Sequence, residues 1–143
     1  MKTTLLSALF FASFATAQEP AATPAEVGTR SKVLELAGAF SNDGYRIRDG
    51  FWTGDLEKGR PRFLEVNLFA GNEYWFCAAA AQSARKIAVS LFSADGKAAD
   101  FQTYHDGPVA AAGAEPEISG KYFVKIELLE GDKSPFCLLY TYK

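Results

Sequence analysis

The sequence is poor in the residue types that carry most enzyme chemistry. It has one histidine and two cysteines among 143 residues. It contains no Gly-x-Ser-x-Gly elbow, the turn that presents a nucleophilic serine in many hydrolases, and no phosphate-binding or metal-binding motif. The sequence therefore names no catalytic residue, no metal ligand and no cofactor, and it favours a protein that is not an enzyme.

The sequence also has no large excess of positive or of negative charge. The chain has 15 basic and 17 acidic residues, which gives a formal net charge of -2, and both signs are scattered along it. A nucleic-acid partner would require a basic stripe or patch. Because the sequence has none, nucleic acid is excluded from the expected partners.

Long apolar runs are absent, and the most apolar run lies at the start. Lys2 gives a positive beginning, mostly apolar residues follow over 5–14, and Ala15-Thr16-Ala17 supplies small residues. This order is typical of a secretory signal peptide, and the run is too short for a bilayer, which takes roughly 20 apolar residues. We expect cleavage after Ala17 and export to the periplasm or outside the cell, with no membrane span in the mature chain.

The mature chain is expected to hold a short tether and one domain. Residues 18–24 (QEPAATP) are small, polar or proline, which is typical of a disordered segment. Residues 25–143 suffice for a single domain with one hydrophobic core. Cys77 and Cys137 lie in apolar, strand-like segments of this domain. Because export leads to an oxidising compartment, we expect them to form a disulfide; the alternative is two buried free thiols.

The first element of the domain is predicted to be an amphipathic helix over 25–41. Thr23 can cap it, Pro24 suits its first position, and Asn42-Asp43-Gly44 can end it. Apolar residues recur at intervals of three and four along two neighbouring stripes, which are Val27, Leu34 and Ala37 on one and Val33, Leu36 and Phe40 on the other. We expect the apolar side of this helix to pack against the rest of the domain.

Beyond Gly44 the apolar period changes to two, which predicts β-strands separated by glycine-containing turns. The clearest strand has Tyr122, Val124 and Ile126 in one phase and Phe123 and Lys125 in the other. Further strands are expected near 64–68, 74–80, 87–91, 101–104, 109–111 and 136–142. The predicted fold is mainly β, an antiparallel β-sandwich or jelly roll of about seven or eight strands over 45–143, preceded by one helix.

Four segments resemble the bacterial pre-peptidase C-terminal domain family. They match a "G-L-x-x-G" opening, an "L-x-A-G-x-x-Y" strand exit, an "L-x-D-x-x-G" turn and an "S-G-x-Y-x-V-x-V" strand. The segments are GDLEKG (54–59), FLEVNLFAGNEYWF (63–76), VSLFSADGKA (89–98) and ISGKYFVKIEL (118–128). The resemblance covers about 90 residues and consists mainly of turn and core positions.

The resemblance implies a compact jelly-roll module without catalysis, found on secreted proteases or as a lone exported protein. Some members bind calcium or matrix polymers, with calcium ligands that include aspartates just before the strand that here begins at Ile87. This chain has Ala84-Arg85-Lys86 there instead. Cations and methyl groups cannot replace the oxygen ligands that calcium requires, so no calcium site is expected.

An aromatic set and a histidine are the main candidate sites. Phe51, Trp52, Tyr74 and Trp75 could stack on sugars or on side chains of a partner, or they could pack inside the fold. His105, between Tyr104 and Asp106, could act as a general base, although neighbours on an extended chain point to opposite faces. Its alternative is a solvated turn histidine.

The aspartates of the region after the helix offer a weaker candidate site. Asp43, Asp49 and Asp55 do not follow calcium-loop spacing and each lies beside or near a glycine, which favours a role in turns.

The sequence therefore supports two hypotheses of different classes. The first is an exported, non-catalytic binding or accessory module that contacts a polysaccharide, an envelope component or a protein through its surface. The second is a small secreted hydrolase or inhibitor that uses loop residues around His105.

Overall fold

The computed structural model describes residues 21–143, and its first element is helix α1, Pro24–Ser41. The Thr23 hydroxyl accepts a hydrogen bond from the backbone N–H of Glu26, and the Glu26 carboxylate accepts one from the N–H of Thr23. This capping box satisfies backbone donors at the helix start that have no partner within the helix. The helix therefore begins one residue earlier than predicted, because Pro24 is its first residue.

The buried side of α1 combines residues from both predicted apolar stripes. Val33 and Ala37 are fully buried and Phe40 is half-buried, whereas Val27 is 55% exposed and Leu34 45% exposed. The buried polar residue Thr29 continues the packed stripe and donates its hydroxyl to the carbonyl of Glu26. The sequence was misleading at Val27 and Leu34, because these two residues point away from the sheet surface beneath the helix.

Nine strands follow the helix, and all their pairings are antiparallel. They are β1 (Arg46–Ile47), β2 (Trp52–Leu56), β3 (Arg62–Leu68), β4 (Tyr74–Ala80), β5 (Ala84–Ser93), β6 (Gln102–Asp106), β7 (Val109–Ala114), β8 (Gly120–Gly131) and β9 (Ser134–Tyr142). The predicted mainly β fold behind one helix is confirmed. The strand number exceeds the prediction, and β1 is a two-residue strand that no periodicity could reveal.

The strands form two sheets that pack face to face as a β-sandwich. One sheet has six strands in the order β1-β9-β4-β7-β6, with β2 also paired to β9, and the other has three strands in the order β3-β8-β5. The main core lies between them. From the small sheet it receives residues such as Val124, Ile126 and Leu91, and from the large sheet Phe76 and Phe136.

A second core lies between α1 and the outer face of the large sheet. Val33 and Ala37 of the helix pack there with Trp75, Cys77 and Leu139. The molecule thus has three layers, in the order helix, large sheet and small sheet. Every residue of β4 is buried because β4 lies in the middle layer, which explains its unbroken apolar run.

Two sequence predictions concern the N-terminal segment. The signal peptide over 1–17, and with it the export it implies, lies outside the described residues, as does the part of the tether before residue 21. Within 21–143, no helix is long and apolar enough to cross a bilayer.

Candidate binding surfaces

The structure separates the four aromatic residues singled out in the sequence. Tyr74 is 3% exposed and faces the core between the sheets, where its ring meets that of Tyr140 edge-on at 5.9 Å between centroids. Trp75 has the opposite phase on β4 and points out of the sandwich, but α1 covers it. The ring of Phe40 stacks on Trp75 with centroids 4.7 Å apart, so Trp75 is 8% exposed. Neither ring is available to a ligand.

A glycine keeps space for the Trp75 ring. A Cβ atom on Gly113 of β7 would lie 2.9 Å from the indole and 3.0 Å from the ring of Phe101. Phe101 meets Trp75 edge-on at 6.0 Å between ring centroids. Phe40, Trp75 and Phe101 therefore form a continuous aromatic layer that fastens the helix to the sheet, which is the packing role considered as the alternative to binding.

Trp52 and Phe51 are more accessible, and arginines engage both. Trp52 is half-buried and stacks on Tyr140 at 5.9 Å between ring centroids. The guanidinium carbon of Arg48 lies 5.9 Å from the Trp52 centroid and 5.2 Å from that of Tyr140. Phe51 is 44% exposed, and the guanidinium carbon of Arg30 lies 4.1 Å from its ring centroid. These cation–π contacts stabilise the edge of the sheet and occupy part of each ring.

The predicted disulfide between Cys77 and Cys137 is not present in the structure, which has two free, buried thiols. The strand register gives the physical reason. Cys77 lies opposite Leu139 and Cys137 lies opposite Ala79, so the two cysteines are diagonal neighbours on adjacent strands. Diagonal Cα atoms are about 7–8 Å apart, which exceeds the span of an ordinary disulfide. Burial raises the pKa of the Cys77 thiol to about 12.

His105 does not join a catalytic constellation in the structure. It lies on the exposed strand β6, where it pairs with Ala110. Tyr104 and Asp106 are its neighbours on the strand and therefore point to the other face of the sheet. Residues 21–143 hold no group of three or more His, Cys, Asp or Glu side chains arranged to hold a metal ion. Of the three aspartates considered, Asp55 pairs with Lys133 at 3.7 Å on the surface.

The outer face of the three-stranded sheet carries an aromatic surface that sequence analysis did not single out. We name it the phenylalanine face and define it by Phe63 on β3, Phe92 on β5 and Phe123 on β8. Phe92 and Phe123 lie directly opposite each other, and Phe63 lies opposite Lys125. Phe63 is 57% exposed, and the other two rings are half-buried.

A hollow of about 420 Å³ lies over the phenylalanine face. Its lining consists of the three phenylalanines together with Ser93, Ala94, Gly96 and Lys125. The Ser93 hydroxyl is already bonded to Asp95 and to the carbonyl of Lys97. The hollow therefore offers carbon atoms and few free hydrogen-bonding groups to a ligand.

Two ion pairs lie beside the phenylalanine face on the same side of the sheet. Lys125 pairs with Glu127, and Lys121 pairs with Glu65 at 3.2 Å. Helix α1 packs on the large sheet, and no helix or strand within 21–143 packs on this face. The surface is thus an open, apolar centre with paired charges beside it on β3 and β8.

A second cleft, of about 700 Å³, continues from the hollow at the end of the sandwich. The two share Ser93 and Ala94. Its remaining lining is mixed and includes Glu115, Glu117 and Ile118, the last of which is 76% exposed. The turn after β5 therefore contributes to the lining of both the hollow and the cleft.

The sequence contained part of the signal for this face. Each of the three phenylalanines lies next to an inward residue of its strand, namely Leu64, Leu91 or Tyr122, so each occupies an outward position. A large apolar residue in an outward position is unusual in a two-layer sandwich. The strand order, which brings the three rings together, could not be read from the periodicity.

Comparison of the chain with protein-family models and with curated protein sequences finds no match.

Proposed function

We propose that this protein is an exported, non-catalytic accessory module that docks on a protein partner through the phenylalanine face. The observation that carries the proposal is the grouping of Phe63, which is 57% exposed, with the half-buried Phe92 and Phe123 around one hollow, on a sheet face that no helix or strand of residues 21–143 covers. Exposed apolar clusters of this kind mark interaction sites in soluble proteins.

The composition of the face favours a protein over a polysaccharide. Protein interfaces combine an apolar centre with a polar rim, and here the hollow is bordered by the pairs Lys125–Glu127 and Lys121–Glu65. A sugar ring would also need hydrogen-bonding partners for its hydroxyl groups. Because Lys125 is paired and the Ser93 hydroxyl is bonded, the hollow supplies few of them.

The order of residues at the start of the chain supports export, because Lys2, the apolar run over 5–14 and Ala15-Thr16-Ala17 follow the pattern of a signal peptide. The resemblance to the pre-peptidase C-terminal domain family supports an accessory role, since that family is appended to secreted enzymes without catalysis of its own. Neither argument depends on the phenylalanine face. The second hypothesis, a hydrolase or inhibitor around His105, gains no support from the geometry, because Asp106 points away from the histidine.

A paired-variant capture experiment tests the proposal. The mature chain, its Phe63→Ser variant and a Phe51→Ser variant are immobilised and exposed to envelope and secreted fractions of the source cells. Phe51 is a matched control, because it is also an exposed phenylalanine but lies on the other side of the sandwich. We expect a defined protein to be retained by the wild type and by Phe51→Ser and to be lost with Phe63→Ser.

The affinity of the retained protein, once purified, should fall by about tenfold or more in Phe63→Ser, as expected for a central interface residue. The proposal fails if no protein shows this pattern of retention. A polysaccharide retained in the same pattern would show that the face is a sugar-binding site instead.

A further inference from the structure

Strand β6 ends the six-stranded sheet, and one of its edges is free. The sheet order runs from β1 to β6, and within 21–143 the only strand paired to β6 is β7. All five residues of β6 are exposed, including Tyr104 at 45%. The strand thus presents unpaired backbone groups together with an accessible aromatic ring.

Two of the residue types that often protect a sheet edge, lysine and proline, are missing from β6. Natural edge strands avoid association through lysine, proline or a β-bulge. The sequence of β6, QTYHD, contains neither lysine nor proline, and its register with β7 is continuous from Gln102 to Asp106. No element of residues 21–143 covers this edge as a strand.

The hairpin geometry shows which backbone groups face the free edge. A two-residue turn, Gly107-Pro108, joins β6 to β7, and Gly107 has a φ of 58°. Residues that flank such a turn exchange hydrogen bonds, and the bonded pairs then alternate along the ladder. Asp106, Tyr104 and Gln102 therefore bond to β7, so the N–H and C=O groups of Thr103 and His105 point to the free edge.

The edge-facing N–H and C=O groups of Thr103 and His105 lie at equal distances along the strand on either side of Tyr104. If a second β6 pairs antiparallel about that residue, Thr103 of one copy lies opposite His105 of the other, and each pair exchanges two bonds. About four backbone hydrogen bonds result. The two Tyr104 residues meet as a non-hydrogen-bonded pair, the closer of the two antiparallel pair types, in which aromatic side chains interact favourably.

Side-chain charges are compatible with this pairing. Asp106 of one copy lies opposite Gln102 of the other, so no like charges face each other at those positions. The free edge of β3 behaves differently, because pairing about its central residue would place Glu65 opposite Glu65 of the second copy. Like charges directly opposite destabilise a strand pair, so self-association is expected at β6 and not at β3.

We propose that two copies of this protein associate through β6 to form an antiparallel, two-fold symmetric dimer with one continuous sheet. The phenylalanine face lies on the other sheet, so the dimer does not depend on the proposed function. The dimer would present two phenylalanine faces to a partner, which increases avidity when the partner offers two matching sites.

Sedimentation equilibrium of the purified mature protein tests the dimer. We expect reversible, concentration-dependent association up to a dimer for the wild type and for Phe63→Ser. The variants Tyr104→Lys and Tyr104→Glu place like charges opposite each other at the two-fold axis, so each should associate about tenfold more weakly or remain monomeric. Because Tyr104 is exposed, both variants should keep the unfolding temperature of the wild-type monomer.

The association of an equimolar mixture of Tyr104→Lys and Tyr104→Glu is the decisive measurement. Opposite charges then face each other across the axis, so a dimer containing one copy of each should form more tightly than either variant with itself. The proposal is overturned if the wild type stays monomeric at all concentrations or if the single variants associate as the wild type does. It is equally overturned if mixing fails to restore association.

Discussion

Single residues hold the helix on the sandwich, and Phe40 is the clearest case. Its ring stacks on Trp75, which in turn meets Phe101 over Gly113. The outward phase of Trp75 suggested a platform for a ligand. The structure shows instead that the protein's own helix α1 covers this ring. A residue that points out of a sheet is therefore exposed only if no other layer covers that part of the sheet.

Phe40→Ala should lower the free energy of unfolding by about 2 kcal/mol, since it removes a half-buried ring and one aromatic pair. Leu34→Ala is the matched control on the same helix. Because Leu34 is 45% exposed, its loss should change stability by less than about 0.5 kcal/mol. Urea denaturation of both variants measures the difference, and equal effects would contradict the observed orientation of α1.

The two cysteines should be unreactive in the folded protein. Both are buried, and burial raises the pKa of Cys77 to about 12 and that of Cys137 above its ordinary value. Thiol reagents should therefore not react with the native protein at neutral pH, because the thiolate is the reactive form. After unfolding without a reductant, two thiols per chain should titrate. If no thiol titrates after unfolding, the two cysteines form the disulfide expected of an exported protein, and this prediction is contradicted.

At the scale of elements, the start of α1 depends on the capping box of Thr23 and Glu26. Thr23→Ala removes the hydroxyl that accepts from the N–H of Glu26, which should cost about 1 kcal/mol. Ser31→Ala, at an exposed position within the helix, should leave stability unchanged or raise it slightly. Thermal denaturation distinguishes the two, and an unaffected Thr23→Ala would show that the helix start contributes nothing to folding.

The strands show how much of the fold the alternation of apolar residues can predict. The alternation of Tyr122, Val124 and Ile126 with Phe123 and Lys125 correctly separated the two sides of β8, of which the first is buried and the second half-buried. The same alternation could not state what covers each side, because that depends on contacts between residues distant in sequence. The burial of Trp75, the diagonal register of the cysteines and the meeting of three phenylalanines all depend on such contacts, so each required the structure.

At the scale of the whole molecule, Tyr45 connects three distant parts of the chain. Its hydroxyl donates to the Glu73 carboxylate at 2.5 Å, and the Lys143 ammonium lies 3.3 Å from the same carboxylate. The hydrogen bond from Tyr45 lowers the pKa of Glu73. Burial and the bond to Glu73 raise the pKa of Tyr45. The end of the helix, the start of β4 and the C-terminus are thereby linked by ionisable groups.

Stability should depend on pH through this cluster. The contribution of Glu73 is present above its unfolded pKa and is lost as pH falls through its lower folded value. The contribution of Tyr45 is present below its unfolded pKa and is lost as pH rises through its higher folded value. Tyr45→Phe should therefore be less stable than the wild type near neutral pH, with a smaller difference at both extremes. Denaturant unfolding across pH measures this, and a pH-independent difference would contradict it.

Site-specific photocrosslinking in the source cells tests the proposed docking of the phenylalanine face on a protein. A benzophenone-bearing phenylalanine analogue is placed at position 63, and at position 51 in a parallel control. We expect a covalent adduct with one defined protein from position 63 and none from position 51. No adduct from position 63, or the same adduct from both positions, would contradict it.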